Sequence, residues 1–153
     1  MKAIIQRVSH ADVVIENQLK GSISQGFLVL LGVGKGDTAS EADLMADKIA
    51  NLRIFCDADD KMNLSLLDVN GEALVISNFT LYADTRHGRR PSFFDAASPE
   101  IANDLYEHFC VALRNKGVAK VETGEFGADM KVSLLNDGPV TIILNTDDWK
   151  KTK

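Results

Sequence analysis

The sequence predicts an α+β domain in which two main helices pack on a mostly antiparallel or barrel-like sheet. A chain of 153 residues, 45% of them apolar, is long enough for one hydrophobic core and a single domain. Most apolar segments have the length of strands and are rich in Val and Ile, whereas only two stretches combine helical spacing with capping residues. Many strands accompanied by two helices are typical of this fold class.

Several predicted strands and one turn precede the first helix. The strands are the segments 2–9, 12–16, 22–24 and 26–33, with the turn at 17–21. Thr38 and Glu41 have the spacing of a capping box, in which each side chain accepts a hydrogen bond from a backbone N–H of the first turn. The helix that they begin should end near residues 51–53. Its apolar face is predicted to be Ala42, Met45, Ile49 and Leu52.

The second half of the chain is predicted to contain a hairpin, the second helix and the last strands. Asn70-Gly71 is the strongest hairpin signal, and it lies between predicted strands at 64–69 and 73–81. Ser98 and Pro99 predict a helix start, and Gly117 predicts its end. The core face of this helix is expected to be Ile101, Leu105, Phe109 and Leu113. Strands are predicted at 118–122 and 130–144, and the domain is expected to span residues 1–145, followed by a frayed tail at 146–153.

Composition excludes several classes of function. No apolar run approaches the 18 residues of a membrane span, and the first residues lack the pattern of a signal peptide, so a cytoplasmic protein is expected. Cys56 and Cys110 form no Cys-x-x-Cys pair and are expected to be free thiols, mostly buried. The three histidines are too scattered for a zinc site, and neither a metal nor a cofactor is expected.

The charge distribution allows a local anionic ligand but does not indicate an extended nucleic-acid footprint. The net charge of −5 has the wrong sign for a protein that coats a nucleic-acid backbone. Nevertheless, Arg86, Arg89 and Arg90 lie within five residues and could contact a few phosphates, together with Lys35. The alternative is that these side chains belong to a solvated loop.

Two familiar catalytic patterns do not fit. The Gly-rich segment 32–38 follows a strand, but Val29 and Gly36 occupy the positions where a Walker loop needs Gly and Ser or Thr, so a tight connection is expected. No Gly-x-Ser-x-Gly elbow occurs, and His10, His87 and His108 are expected to be ordinary surface or core residues.

The segment 73–84 carries polar side chains at the end of an aliphatic strand. Ser77, Asn78 and Thr80 are either solvent-facing positions of an edge strand or part of a site. A hydroxyl, an amide and backbone N–H groups at a strand end could stabilise an oxyanion.

The segment 136–141 also allows two interpretations. Asn136-Asp137-Gly138 between apolar flanks favours a hairpin. Pro139, however, removes a donor where the second strand would begin, which favours an edge or a special bend, and an X-Pro bond is the one that is readily cis.

Both segments resemble motifs of the D-aminoacyl-tRNA deacylase family, also called D-tyrosyl-tRNA deacylases. Ser77-Asn78-Phe79-Thr80-Leu81-Tyr82 resembles the Ser-Gln-x-x-Leu-Tyr motif, with Asn78 where the family usually has Gln. The segment 136–141 matches Asn-x-Gly-Pro-x-Thr at every fixed position, through Asn136 and Thr141. Segments 1–8 and 83–93 also resemble the family, so the likeness extends to about residue 144.

The resemblance implies an activity and a homodimer. The family hydrolyses the ester between a D-amino acid and the 3′-terminal ribose of tRNA, in sites at the subunit interface. The resemblance implies that a cis Gly138-Pro139 from one subunit enters the site of the other and rejects L-amino acids. It also implies that Arg7 braces this loop. D and L substrates share every group, so a wall of backbone is a plausible discriminator.

The resemblance also implies how the ester is cleaved. The N–H groups around Phe79 and Thr80 would stabilise the tetrahedral oxyanion, each contributing roughly 2.7 to 4 kcal/mol. The ribose 2′-hydroxyl would help to activate water, while Ser77 and Asn78 shape the pocket. Two alternatives remain open: a covalent intermediate on Thr80 or Ser77, and a non-enzymatic module that binds RNA or protein.

Overall fold

A six-stranded mixed sheet, a two-stranded ribbon and two α-helices make up residues 1–150, which are the residues that the computed structural model describes. The strands are β1 (Lys2–Ile15), β2 (Gln18–Ile23), β3 (Gly26–Gly32), β4 (Phe55–Cys56), β5 (Met62–Leu64), β6 (Glu72–Ser77), β7 (Lys120–Thr123) and β8 (Lys131–Asn145). The helices are α1 (Ala39–Asn51) and α2 (Pro99–Asn115), and two 3-10 helices span Phe79–Tyr82 and Thr146–Trp149.

Strand β1 organises the sheet. It pairs antiparallel with β2, β3 and β8, while β3 pairs parallel with β6 and β6 pairs parallel with β7. The two ends of the sheet approach each other, since a Cβ built at Gly21 of β2 would lie 3.1 Å from the Thr123 carbonyl oxygen of β7. The sheet is therefore nearly closed into a barrel, and the predicted α+β fold class is confirmed.

The sheet separates two apolar clusters. The larger one lies between the sheet and both helices, and it includes the stacked rings of Phe27 and Phe55, whose centroids are 5.2 Å apart. The smaller one, which includes Val8, Leu28 and Leu74, is formed by residues of β1, β2, β3 and β6. Apolar residues of β3 belong to both clusters, which explains why its sequence is a continuous apolar run.

The predicted helix signals correspond to the helix ends. Thr38 and Glu41 form the capping box of α1, which ends at Asn51, and its core face includes Ala42, Met45 and Ile49. Helix α2 begins after Ser98 with Pro99 in its first turn, and Gly117 follows its end with a φ of 100°. The Ser98 side chain, however, makes no capping hydrogen bond.

The hairpin predicted around Asn70-Gly71 is wrong. Residues 66–70 form turns, and Asn70 has a φ of 52°, so the turn signal is correct. The strand before it is β5, which pairs with β4, whereas the strand after it, β6, pairs parallel with β3. Strand β6 takes an inner position beside β3 because it is apolar on both faces, with Ala73 and Val75 in the larger cluster and Leu74 and Ile76 in the smaller one.

Other local predictions also need correction. Residues 2–15 form one strand rather than two, and the turn before β2 is shorter than expected, with positive φ at Glu16 and Asn17. The predicted strand 73–81 ends at Ser77. The predicted core face of α2 is rotated, since Ile101 is 53% exposed. Buried residues of α2 are Ala102, Tyr106, Phe109, Cys110 and Leu113.

The cysteines and the C-terminal segment differ from expectation as well. Both thiols are free, but Cys56 is exposed, whereas burial raises the pKa of the Cys110 thiol to about 12. Residues Thr146–Trp149 are a 3-10 helix, and Trp149 packs on the core, so they are not frayed; the rest of the predicted tail, residues 151–153, lies outside the described residues. Within residues 1–150, no helix is both long and apolar enough to cross a membrane.

Candidate active site and loop 136–141

A cavity of about 500 Å³ opens where β6 ends. Its walls come from the end of β6, the segment before α2, the first turn of α2 and the segment before β8. The polar lining side chains are Ser77 and Asn78, the large apolar ones are Phe79, Phe93, Phe126 and Met130, and the other lining residues are Val, Ala, Gly and Pro. No ionisable side chain of the described chain lines this cavity.

The 3-10 helix at the rim is fixed by Asn78. The Oδ1 atom of Asn78 accepts a hydrogen bond from the Thr80 N–H at 3.2 Å and another from the Thr80 hydroxyl. Asn78 is thus the N-cap of the 3-10 helix, a position that favours Asn because its short side chain reaches the backbone two residues ahead. The backbone of Asn78 is held by its N–H, which donates to the Leu31 carbonyl of β3 at 2.8 Å.

Two aromatic rings form one wall of the cavity. The Phe79 and Phe93 rings meet edge to face, with centroids 5.0 Å apart, and 56% of Phe79 is exposed. Ser77 is half-buried and also lines the cavity, whereas Thr80 is exposed and does not line it. The structure therefore brings Ser77, Asn78 and Phe79 together at one surface.

Residues 136–141 form a loop within β8 rather than a hairpin. On the two sides of the loop, Asn136 pairs with Val8 and Thr141 pairs with Gln6 of the same strand β1. Four residues, 137–140, therefore stand opposite Arg7 alone. The hairpin interpretation is wrong, because both flanks bind one neighbouring strand and never each other.

The loop is held from within by Asn136. Its Nδ2 atom donates to the Val140 carbonyl at 3.0 Å and to the Arg7 carbonyl at 3.2 Å, and its Oδ1 atom accepts from the Val140 N–H at 3.2 Å. Gly138 and Pro139 are exposed at the tip, and the bond between them is cis. Thr141 is exposed beside the loop, where its hydroxyl accepts a 3.4 Å bond from Gln6.

Arg7 supports the loop from below. Only 8% of this residue is exposed, and its Nε atom donates to the Asp137 carbonyl at 2.9 Å. Its Nη1 atom donates to the Ile54 carbonyl at 2.7 Å, which ties the loop to the segment after α1. The Asp137 carboxylate lies 3.6 Å from Nε and offsets the arginine charge.

The predicted site residues thus form two groups. Within the described chain, Arg7 and residues 136–141 are absent from the lining of the cavity at Ser77. The cavity is lined by other segments than the loop, and the tip of the loop is exposed at the surface.

The predicted tRNA-contacting residues occupy exposed positions. Arg86, Arg89 and Arg90 are exposed, and Arg86 forms a bidentate pair with Asp84, with N–O distances of 2.9 and 2.7 Å. This pairing lowers the pKa of the Asp84 carboxyl to about 2. Lys35 is also exposed, with its Nζ atom 3.2 Å from the centroid of the Phe94 ring.

The sequence did not identify several wall residues. Phe93, Phe126 and Met130 lie far from the Ser77 segment along the chain, and apolar side chains carry no chemical signature of a site. The only available signal is Phe93-Phe94, a pair of aromatic residues in a polar segment next to the basic cluster.

Comparison with known protein families gives one consistent result. Residues 4–145 match the family model described as D-Tyr-tRNA(Tyr) deacylase. A D-aminoacyl-tRNA deacylase from Roseiflexus sp. (strain RS-1) is 60% identical over all of this chain and 98% of its own length. One from Thermosipho melanesiensis is 57% identical over 95% of this chain and 97% of its own length.

Two solved structures share the fold. A c-Myc DNA unwinding element binding protein superposes with a TM-score of 0.90 at 39% identity, covering 95% of this chain and 98% of its own. A probable eukaryotic D-amino acid tRNA deacylase superposes with a TM-score of 0.78 at 15% identity, covering 94% of this chain and 97% of its own, a likeness that concerns the fold alone.

Proposed function

This chain belongs to the D-Tyr-tRNA(Tyr) deacylase family, and we propose that it hydrolyses the ester of D-aminoacyl-tRNA to release the D-amino acid and tRNA. The observation that carries this proposal is the match of residues 4–145 to the family model. The matched residues include those that line the neutral cavity and those of the exposed Gly138-Pro139 loop. We further propose that the protein acts in the cytoplasm and needs no metal or cofactor.

The direct test compares two substrates that differ in handedness. The purified protein is incubated with a D- and an L-aminoacyl-tRNA that carry the same side chain, and loss of the ester is followed. Selective release of the D-amino acid is expected. Equal release of both, or no release, would contradict the proposal.

We propose that the active site is completed by a second copy of the chain. In a homodimer, Gly138 and Pro139 of one protomer would enter the cavity beside Ser77 of its partner. This arrangement is supported by the exposure of the loop tip, by its bracing through Arg7 and Asn136, and by its absence from the cavity of its own chain. Rigid backbone at that place would deny volume to an L side chain.

The proposed exclusion of L side chains by the Gly138-Pro139 backbone has consequences for substrate specificity. A backbone wall that rejects L side chains does not contact the D side chain, so broad specificity among D-amino acids is expected. Glycine has no side chain to exclude, and glycyl-tRNA is therefore expected to be hydrolysed in part. Competition between glycyl-tRNA and two different D-aminoacyl-tRNAs measures both effects.

The oxyanion donor is proposed to be the Phe79 N–H. The Thr80 N–H is engaged by the Asn78 side chain, whereas Phe79 is the first residue of the 3-10 helix, where an N–H has no partner within the helix. Such donors are worth about 2.7 to 4 kcal/mol in the transition state.

Two replacements of Phe79 distinguish the role of its backbone N–H from the role of its ring. Phe79→Pro removes the N–H at a first helical position, where proline is tolerated, and Phe79→Ala removes the ring but keeps the N–H. The proline variant should have a kcat about 100-fold below that of the alanine variant. Equal kcat values would assign the oxyanion to another donor.

The neutral cavity favours assistance by RNA over a covalent enzyme intermediate. A Ser or Thr nucleophile needs an adjacent base, yet no ionisable side chain of the described chain lines the cavity. His108 pairs instead with Asp43 on the outside of the helices, and His10 and His87 are exposed. We propose that the ribose 2′-hydroxyl helps to activate water and that Thr80 only positions the 3-10 helix.

Thr80→Ala tests the covalent alternative. Under the proposed scheme this variant keeps substantial turnover, because its lost hydroxyl only bonds Asn78. Ser77→Ala serves as the matched variant for the other hydroxyl. Near-total loss of turnover in either folded variant would favour a covalent intermediate.

A second candidate function is binding of nucleic acid without hydrolysis. It is favoured by the likeness to the c-Myc DNA unwinding element binding protein, which is 39% identical in sequence. The exposed Arg86, Arg89 and Arg90 could contact phosphates in that case. Saturable binding of DNA by a protein without D-selective release would select this function.

A further inference from the structure

We propose that Phe94 and Lys35 form a stacking platform for the unpaired nucleotide that precedes the terminal adenosine of the tRNA. This inference rests on the proposed function, because it names how the acceptor end of that substrate would leave the cavity. The platform consists of the Phe94 ring and the Lys35 ammonium group.

Exposure is the first observation. Phe94 is 74% exposed, which makes it the most exposed aromatic ring among the large exposed apolar residues of the described chain. Burial of its ring would remove a large apolar area from water, so a ring left in solvent beside a cavity is a plausible contact surface. Its neighbour Phe93 is half-buried and lines the cavity instead.

The geometry of Lys35 is the second observation. Its Nζ atom is 3.2 Å from the Phe94 ring centroid, so the ammonium group covers one face of the ring. Because 74% of Phe94 remains exposed, a base could stack on the ring surface that Lys35 leaves uncovered, and the ammonium group would lie near the phosphate that follows. Aromatic rings flanked by cations are the usual surface for single-stranded nucleic acid, because every base has a π face and every linkage has a negative charge.

The backbone around the platform is fixed. The Lys35 N–H donates to the Asp95 carbonyl at 2.9 Å, and Gly34 forms a bridge with Ala96. The Ala97 N–H donates to the Val33 carbonyl at 3.0 Å. These bonds hold Phe94 beside the cavity wall, so binding would not need to order a flexible segment.

The platform lies between the cavity and a second depression. That depression, of about 400 Å³, is lined by Lys2, Lys35 and Lys150 among others, and it also contains Asp37, Asp95 and Asp147. Lys150 pairs with Asp147, and the Met1 ammonium pairs with Asp37, so within residues 1–150 the Lys35 charge has no carboxylate partner. An RNA strand that leaves the cavity over Phe94 would pass Lys35 before the other lysines of this depression.

The test compares a complete substrate with a minimal one. The complete substrate is D-aminoacyl-tRNA, and the minimal one is the 3′-D-aminoacyl ester of adenosine, which lacks the preceding nucleotide. Phe94→Ala should lower kcat/KM for the tRNA by about tenfold more than for the adenosine ester, mainly through KM. Phe94→Trp should restore the value for the tRNA, and Lys35→Ala should give a smaller loss that shrinks at high salt.

Met62→Ala is the matched control, because Met62 is also exposed, at 53%, but lies on β5. Equal effects of Phe94→Ala on both substrates would overturn the platform, since a distorted cavity would affect them alike. The absence of any effect would overturn it as well.

A binding experiment separates this proposal from the proposed function. A fluorescein-labelled single-stranded RNA ending in CCA is titrated with protein, and anisotropy gives the Kd. Phe94→Ala should weaken binding about tenfold, and so should an abasic ribose at the penultimate position. If the unaltered protein has no deacylase activity but these losses appear, the platform stands while the proposed function fails. If hydrolysis occurs but both changes leave the Kd unaltered, only the platform is overturned.

Discussion

Residues 77–80 end one strand and residues 136–141 interrupt another, and the two segments differ in their chemistry. The first segment ends β6 in a 3-10 helix beside a recess without ionisable side chains. The second projects from β8 and is held by a buried guanidinium group that donates to two carbonyls. The cavity presents the backbone N–H groups that begin the 3-10 helix, whereas the loop presents backbone that Arg7 holds in place. Under the proposed mechanism, ester cleavage depends on the cavity, and rejection of L-amino acids depends on the loop.

The largest effect is expected when the substrate loses its 2′-hydroxyl. If the neutral recess cannot activate water by itself, D-aminoacyl-tRNA ending in 2′-deoxyadenosine should react about a thousandfold more slowly. Single-turnover rates with the two substrates measure this. Similar rates would show that the recess contains its own base, which would break the contrast with the loop.

The next effect is expected at the support of the loop. Arg7→Ala leaves the Ile54 and Asp137 carbonyls without their charged donor, so the free energy of unfolding should fall by about 3 kcal/mol. Rejection of L-aminoacyl-tRNA should weaken because the loop loses its brace. Denaturant unfolding and the ratio of kcat/KM for D and L substrates measure the two results.

Arg7→Lys is the matched control for that change. This variant keeps the positive charge, but its ammonium group can reach only one carbonyl at a time. Its free energy of unfolding and its selectivity for D substrates should therefore lie between those of the unaltered protein and those of Arg7→Ala. An Arg7→Ala protein with undiminished stability and selectivity would show that Asn136 alone holds the loop.

A smaller effect is expected at the cap of the 3-10 helix. Asn78→Ala removes the acceptor of the Thr80 N–H and should lower the free energy of unfolding by about 1 kcal/mol. Asn78→Ser keeps a capping oxygen and should lose less. Thermal and denaturant unfolding measure both. A loss as large as that of Arg7→Ala would remove the distinction between a lightly fixed recess and a strongly braced loop.

The smallest effect is expected from the ion pair outside both regions. The Arg86 side chain lowers the pKa of Asp84 from 3.8 to about 2, so the carboxylate remains charged in the folded protein. Because the folded pKa is depressed, the stabilisation by this pair is fully present above pH 3.8 and is lost as the pH falls through about 2. An NMR titration of the Asp84 carboxyl carbon measures this, and a midpoint near 4 would show that the pair does not form in solution.

The local chemistry of the chain determined several features by itself. The capping box at Thr38 and Glu41, the proline start of α2 and the Gly117 end depend on neighbours within a few residues. Such signals act before any tertiary contact forms, and they can therefore be found in one sequence. The two motifs at 77–82 and 136–141 are also short, but they indicate a function only through their resemblance to motifs of the D-aminoacyl-tRNA deacylase family.

Only the tertiary structure decided which segments meet. Asn70-Gly71 produced its turn, but the partner of β6 was selected by burial on both faces, a condition that depends on segments far away in sequence. In the same way, residues 136–141 form a loop and not a hairpin because β1, a segment far away in sequence, pairs with both flanks. The hydrogen bonds of Arg7 and the placement of Phe93 and Phe126 in the cavity wall also arise from long-range packing. No local pattern encodes them, because an apolar or basic side chain has the same chemistry wherever the fold places it.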